Sequence, residues 1–167
     1  MKTDKIYLVG FMAAGKTTVA AHLARRLDWQ SEDIDLLIEA RERQTVADIF
    51  ARQGEPYFRA LEREMLRLVL PLRHAVIATG GGTFADPDNR AAIKLDGVSV
   101  WLDVPVEHLI ARVPSDGRRP LAADREQFAQ LYAARASTYA LADVRVACGD
   151  APAADIADRV LDALGSF

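Results

Sequence analysis

Residues 10–17 read G-F-M-A-A-G-K-T: a glycine, four residues, then glycine, lysine and threonine. This is the phosphate-binding loop pattern, and it constrains the fold because it works only between a strand and the N-terminus of a helix. The flanks meet that requirement. Lys5 to Val9 is a short apolar strand, and Thr18 to Leu27 is a helix with Val19, Leu23 and Leu27 on one face. Backbone N–H groups of the loop and of the first helical turn then converge on one concavity, where the helix dipole favours an anion. Gly10 and Gly15 permit the tight turn and the close approach of a phosphate. Lys16 supplies a point charge for the β- and γ-phosphates of a nucleotide, and the Thr17 hydroxyl can ligate Mg²⁺. Ala13 and Ala14 stand where small residues, often glycine, are common, and alanine is small enough not to block the site.

The rest of the chain repeats the strand–helix alternation. Trp29 to Asp35 is a short strand or extended segment ending in two carboxylates. Ala75 to Thr79, Val98 to Leu102 and Val144 to Ala147 are further strands. Helices are predicted over 36–43, 45–50, 55–70, 86–95, 105–112, 125–136 and 153–164, with Gly54 as punctuation, Thr45 as a cap and Asp86-Pro87 as a helix start. Five strands alternate with helices, and short apolar strands with helical crossovers predict an α/β fold, a parallel sheet covered on both faces. Ligands of such sheets gather beyond the C-terminal strand ends. The phosphate loop, Asp33/Asp35 and the triple glycine Gly80-Gly81-Gly82 each directly follow a strand, so all three converge on that edge.

At 167 residues the chain is predicted to be one domain with a full core. A net charge of −3 argues against a nucleic-acid binder held by general electrostatics. No apolar run approaches the ~20 residues that span a bilayer. The N-terminus leads straight into the first strand, leaving no room for a signal peptide, so a soluble, reducing compartment is expected. The single cysteine, Cys148, excludes an intrachain disulfide, and His22, His74 and His108 are scattered.

Asp33 and Asp35 are two apart, so in an extended chain both point to the same side. One can hold Mg²⁺ through water while the other orients and deprotonates an attacking hydroxyl. The other reading is a helix N-cap pair. Arg59 sits beside Glu62 at i+3. It is either a surface ion pair or a guanidinium aimed at a substrate carboxylate and oriented by Glu62. Gly80 to Gly82 offers backbone that a small ligand can approach closely. Arg118 and Arg119 lie in a turn-rich loop that can close over ATP and neutralise charge on the transferring phosphoryl group. Arg112 and Arg135, near helix ends, are either exposed or close to ligands.

These residues resemble the shikimate kinase family, the small phosphate-loop kinases of aromatic amino-acid biosynthesis. The resemblance rests on G-F-M-A-A-G-K-T-T at 10–18, D-I-D at 33–35, I-F-A-R-Q-G-E-P-Y-F-R-A-L-E at 49–62, A-T-G-G-G at 78–82, R-R-P-L at 118–121 and R-A-S-T-Y at 135–139. It implies transfer of the ATP γ-phosphate to the 3-hydroxyl of shikimate, with Mg²⁺. It implies that Gly10, Ala13, Ala14, Gly15, Lys16, Thr17, Thr18, Arg112 and Arg119 contact ATP, and that Thr17 and Asp33 serve the metal. Asp35 becomes the base and hydroxyl ligand, with Lys16 and Arg119 as its catalytic partners. Arg59 and Arg135 become the carboxylate grip, and Gly80, Gly81 and Gly82 the ring face.

The implied fold is a three-layer, five-stranded parallel sheet of order 2-3-1-4-5. One domain, 1–167, carries a substrate-binding helical region about 33–62 and a lid about 112–125. A cytoplasmic monomer with no nucleic-acid or membrane partner is expected. The sequence departs from the family pattern at Ala13, Ala122, Thr83-Phe84 and the segment after Arg135. Phe84 and residues 136–138 are expected to reshape the substrate pocket. The alternatives are a related small-molecule kinase, such as a gluconate kinase, and a nucleotide-binding regulatory protein without turnover.

Overall fold

The computed structural model describes residues 3–113 and 125–165. Arg118, Arg119, Ala122 and nearly all of the expected lid lie outside the described residues. Five strands form one sheet: β1 Lys5–Val9, β2 Gln30–Asp33, β3 Ala75–Ala78, β4 Val98–Asp103 and β5 Val144–Ala147. Every neighbouring pair is parallel and the order is β2-β3-β1-β4-β5, as the resemblance implied. The helices are α1 Lys16–Leu27, α2 Ile34–Glu42, α3 Val46–Val69, α4 Pro87–Asp96, α5 Val106–Arg112, α6 Arg125–Tyr139 and α7 Ala153–Gly165, with a 3₁₀ turn at Thr83–Ala85.

All five residues of β1 and all four of β3 are buried, as central strands covered on both faces must be. Register decides where the site lies. Asp33 pairs with Ala78, Ala78 with Leu8, and Val9 with Trp101. The C-terminal ends of four strands are therefore level, and the chain leaves each of them at the same edge. Thr79 reinforces the alignment, its amide and its hydroxyl both donating to the Leu8 carbonyl at 3.1 and 2.9 Å.

Local sequence explains the helix ends. Asp86 caps α4, accepting from the amides of Asp88 and Asn89, with Pro87 at the first helical position. Thr45 caps α3, accepting from the Asp48 amide at 3.1 Å. The expected pair of helices over 45–70 is one element broken at Gly54, whose backbone is non-helical (φ 81°, ψ 172°). Pro56 follows at the start of the second part, where its missing N–H is tolerated. Among the described residues no helix is long and apolar enough to cross a membrane.

The opposite edge of the sheet holds a buried lysine. Lys5 is fully buried, and its ammonium donates to the carbonyls of Val69 and Leu70, at 3.2 and 2.6 Å, and to Asp96 at 2.6 Å. It thus closes the C-terminus of α3, where carbonyls lack helical partners and the dipole favours a cation. Burial works to raise the Asp96 carboxyl, but hydrogen bonds from Lys5 and Tyr7 and the charge of Lys5 hold it below the ordinary carboxylate range.

A depressed carboxylate contributes stability that is complete above its unfolded pKa and is lost as pH falls through its folded value. Lys5→Met removes the cation and strands its acceptors, a cost of about 3 kcal/mol at neutral pH. Urea unfolding should show that loss. The gap between the two proteins should shrink as acid protonates Asp96.

Candidate active site

The phosphate loop leaves β1 at Gly10 and enters α1 at Gly15. A side chain at Gly10 would press on the Leu102 carbonyl, 3.0 Å from its Cβ, because the loop crosses directly over β4. Gly15 is the N-cap of α1 with φ 87°, a left-handed backbone that leaves the first amides of the helix exposed at the loop. Ala13 is also left-handed, at φ 64°. An alanine there carries strain of about 1–2 kcal/mol that glycine would not. The Lys16 ammonium donates to the carbonyls of Gly10 and Phe11, both at 2.8 Å, which keeps it folded against the loop. Thr17 and Thr18 are exposed on the first turn.

The aspartates do not share one side of a strand as expected. β2 ends at Asp33, and Ile34 already begins α2, so Asp33 is the N-cap and Asp35 lies in the first helical turn. The cap reading is met, and the two oxygens of Asp33 have separate partners. One accepts from the Leu36 amide at 3.1 Å, and the other accepts from the Thr17 hydroxyl. This pairing joins the first turn of α1 to the end of β2. It sets two hard oxygen donors together, a donor set suited to Mg²⁺. Among the described residues no three His, Cys, Asp or Glu gather into a metal site.

Each glycine of the triplet has its own neighbour. A Cβ on Gly80 would stand 2.5 Å from Glu62 Oε1, 2.8 Å from Asp35 Oδ1 and 2.9 Å from Thr83 Oγ1. A Cβ on Gly81 would stand 3.4 Å from the Met12 amide of the phosphate loop, and the Gly81 carbonyl accepts from Arg135 Nη1 at 2.6 Å. A Cβ on Gly82 would fall within the Arg59 guanidinium, 2.6 Å from its Cζ. Side-chain-free backbone at Gly80 and Gly82 is what lets Asp35 and Arg59 close on this segment. Gly82→Ala should therefore displace Arg59. We expect its KM for an anionic acceptor to rise about tenfold or more with KM for ATP unchanged, measured by initial rates.

Arg59 donates to Glu62 Oε2 at 2.5 Å, and to Glu55 Oε1 through Nε and Nη2 at 3.2 and 3.0 Å. Burial opposes its charge, but Glu62 and Glu55 outweigh that and raise its pKa above an ordinary arginine. Glu62 is only 1% exposed, and its other oxygen accepts from the Thr83 hydroxyl at 2.7 Å. Glu62 therefore holds Arg59 as anticipated, from a fixed position in the core.

Of the residues expected at the site, the structure groups the phosphate loop, Asp33, Asp35, Arg59, the triple glycine and Arg135. Arg112 is exposed at the end of α5 and donates to the Gly149 carbonyl at 3.1 Å. Arg119 lies outside the described residues. Phe84 does not open onto the site: it is fully buried in the core. Sequence reasoning missed Thr83 and Tyr139. Tyr139 donates its hydroxyl to the same Gly81 carbonyl as Arg135. The available signal was its i+4 spacing from Arg135 on one helix.

A family model described as shikimate kinase matches residues 12–165. A shikimate kinase of Persephonella marina is 42% identical over 142 residues, 84% of this chain and 87% of the relative. The structure of the Acinetobacter baumannii shikimate kinase in complex with shikimate superposes with a TM-score of 0.94 at 34% identity, covering 99% of this chain and 94% of that one. A gluconokinase from Sinorhizobium meliloti 1021 superposes with a TM-score of 0.59 at 16% identity, over 98% and 93% of the two chains. That likeness extends to the fold alone.

Proposed function

The chain belongs to the shikimate kinase family, and from that premise we propose how its residues divide the transfer of the ATP γ-phosphate to the 3-hydroxyl of shikimate. The family makes it an ATP-dependent phosphotransferase acting on shikimate. One observation carries the residue assignment. A carboxylate and two guanidinium groups surround three consecutive glycines that abut the phosphate loop.

The amides of residues 10–18 and the Lys16 ammonium take the phosphates, with Gly10, Ala13, Ala14, Gly15, Thr17 and Thr18 forming the cradle. Thr17, and Asp33 through water, would hold Mg²⁺, which when bound neutralises charge on the β- and γ-phosphates. Arg59 and Arg135 grip the shikimate carboxylate, and arginine suits that planar anion because it offers paired N–H groups. The ring lies against Gly80, Gly81 and Gly82. Asp35 binds the hydroxyls and accepts the proton of the attacking one. Arg119 covers the transferring phosphoryl group from a lid about 112–125, and Arg112 meets the adenine. These two roles rest on the family resemblance, as does the division of one domain into that lid and a substrate-binding region about 33–62. The same reading makes the protein a cytoplasmic monomer without nucleic-acid or membrane partners.

The test is ADP release from ATP and Mg²⁺ with shikimate, with gluconate and with no acceptor. Release that depends on shikimate supports the reading. Release only with gluconate overturns the acceptor assignment.

A further inference from the structure

Arg135 and Tyr139 are one helical turn apart on α6 and so share a face. Both donate to one atom, the Gly81 carbonyl oxygen, the arginine through Nη1 at 2.6 Å and the tyrosine through its hydroxyl. A carbonyl oxygen has two lone pairs, so both bonds are made at once. The two donors differ in freedom. Tyr139 is 1% exposed, with its ring against Trp101 of β4 at 6.1 Å between centroids. The Arg135 side chain is long and only partly buried. Gly81 itself backs onto the phosphate loop at Met12.

We propose that Tyr139 is a positioning residue for the acceptor's carboxylate: its hydroxyl fixes the Gly81 carbonyl, and that carbonyl fixes the arginine that meets the anion. The proposal rests on the assignment of Arg135 to the carboxylate. A guanidinium has five N–H groups, so one spent on Gly81 leaves others for a ligand. Anchoring the arginine before the acceptor arrives reduces the ordering cost of binding. Burial pushes the phenol up to about 12, against the opposing effect of Arg135. The hydroxyl therefore remains a neutral donor at working pH. Phenylalanine keeps the ring against Trp101 and deletes only this bond, so the hydroxyl can be separated from the packing.

The experiment is a double-mutant cycle of Tyr139→Phe and Arg135→Ala, read by initial rates with shikimate and ATP, by ADP binding and by thermal unfolding. Tyr139→Phe alone should raise KM for shikimate about tenfold, with kcat and KM for ATP moving less than about twofold. In the Arg135→Ala background the same change should move KM less than about twofold. An equal effect in both backgrounds overturns the proposal, since the hydroxyl would then act without the arginine. An unchanged KM in Tyr139→Phe also overturns it. So does a Tyr139→Phe protein that no longer binds ADP, which would make the hydroxyl a structural group. If Arg135→Ala alone leaves KM unchanged, the carboxylate assignment fails first and the proposal falls with it.

Discussion

Asp35→Asn will lower kcat by about 10²–10⁴-fold, the usual contribution of a positioned general base. The substitution is chosen because it changes charge and proton affinity and almost nothing else. Asparagine occupies the same volume, so it fits the same space beside Gly80, where a Cβ would stand 2.8 Å from Asp35 Oδ1. The position lies in the first turn of α2, where a negative charge is worth about 0.3–1 kcal/mol through the helix dipole. The unfolding temperature should therefore fall only slightly. KM for shikimate should move far less than kcat, because an amide still binds hydroxyls. Near-normal turnover would remove Asp35 as the base.

Arg59→Ala has an effect of comparable size, but it falls on binding. Truncating one member of a buried, hydrogen-bonded charge pair typically costs about 2–5 kcal/mol at a recognition site. We expect shikimate affinity to drop about 10²-fold or more, with ADP affinity preserved. The alanine variant carries a second cost. Glu62, 1% exposed, keeps only its bond from Thr83 and becomes a buried carboxylate without its cation. Stability should then fall by about 3 kcal/mol as well.

Arg59→Lys separates the two effects. It leaves a cation beside Glu62 but removes the planar fork that matches a carboxylate. Its stability should stay closer to that of the parent while shikimate binding still weakens. Calorimetric titration with shikimate and with ADP reads both. Unchanged shikimate affinity in either variant would sink the role given to Arg59.

The features legible in the sequence were those fixed by local chemistry. The phosphate loop, the apolar runs of β1, β3 and β4 and the caps at Thr45 and Asp86 each depend on neighbours within a few residues, and each stands where it was expected. The convergence of three loops on one edge followed from parallel topology, and the level strand ends explain it. The misreadings came where one residue decides a conformation, or where a partner is remote. Asp33 and Asp35 parted because the strand ends at Asp33, two residues before the expected end at Asp35, in favour of a helix cap. Phe84 looked like a pocket residue because it departs from the family pattern directly after the triple glycine, yet the 3₁₀ turn carries it into the core. Tyr139 meets Gly81 across 58 residues and Lys5 meets Asp96 across 91, and no local pattern announces either pairing.

The most direct test of the account is to identify the phosphorylated product. Purified protein would be incubated with ATP, Mg²⁺ and shikimate, and the product examined by phosphorus–proton correlation NMR. The account predicts one phosphate ester, on the 3-hydroxyl, formed in step with ADP. Phosphate on another hydroxyl would contradict the placement of Asp35 against the ring. ADP accompanied only by free phosphate would contradict the claim that the groups around Gly80, Gly81 and Gly82 hold shikimate for attack.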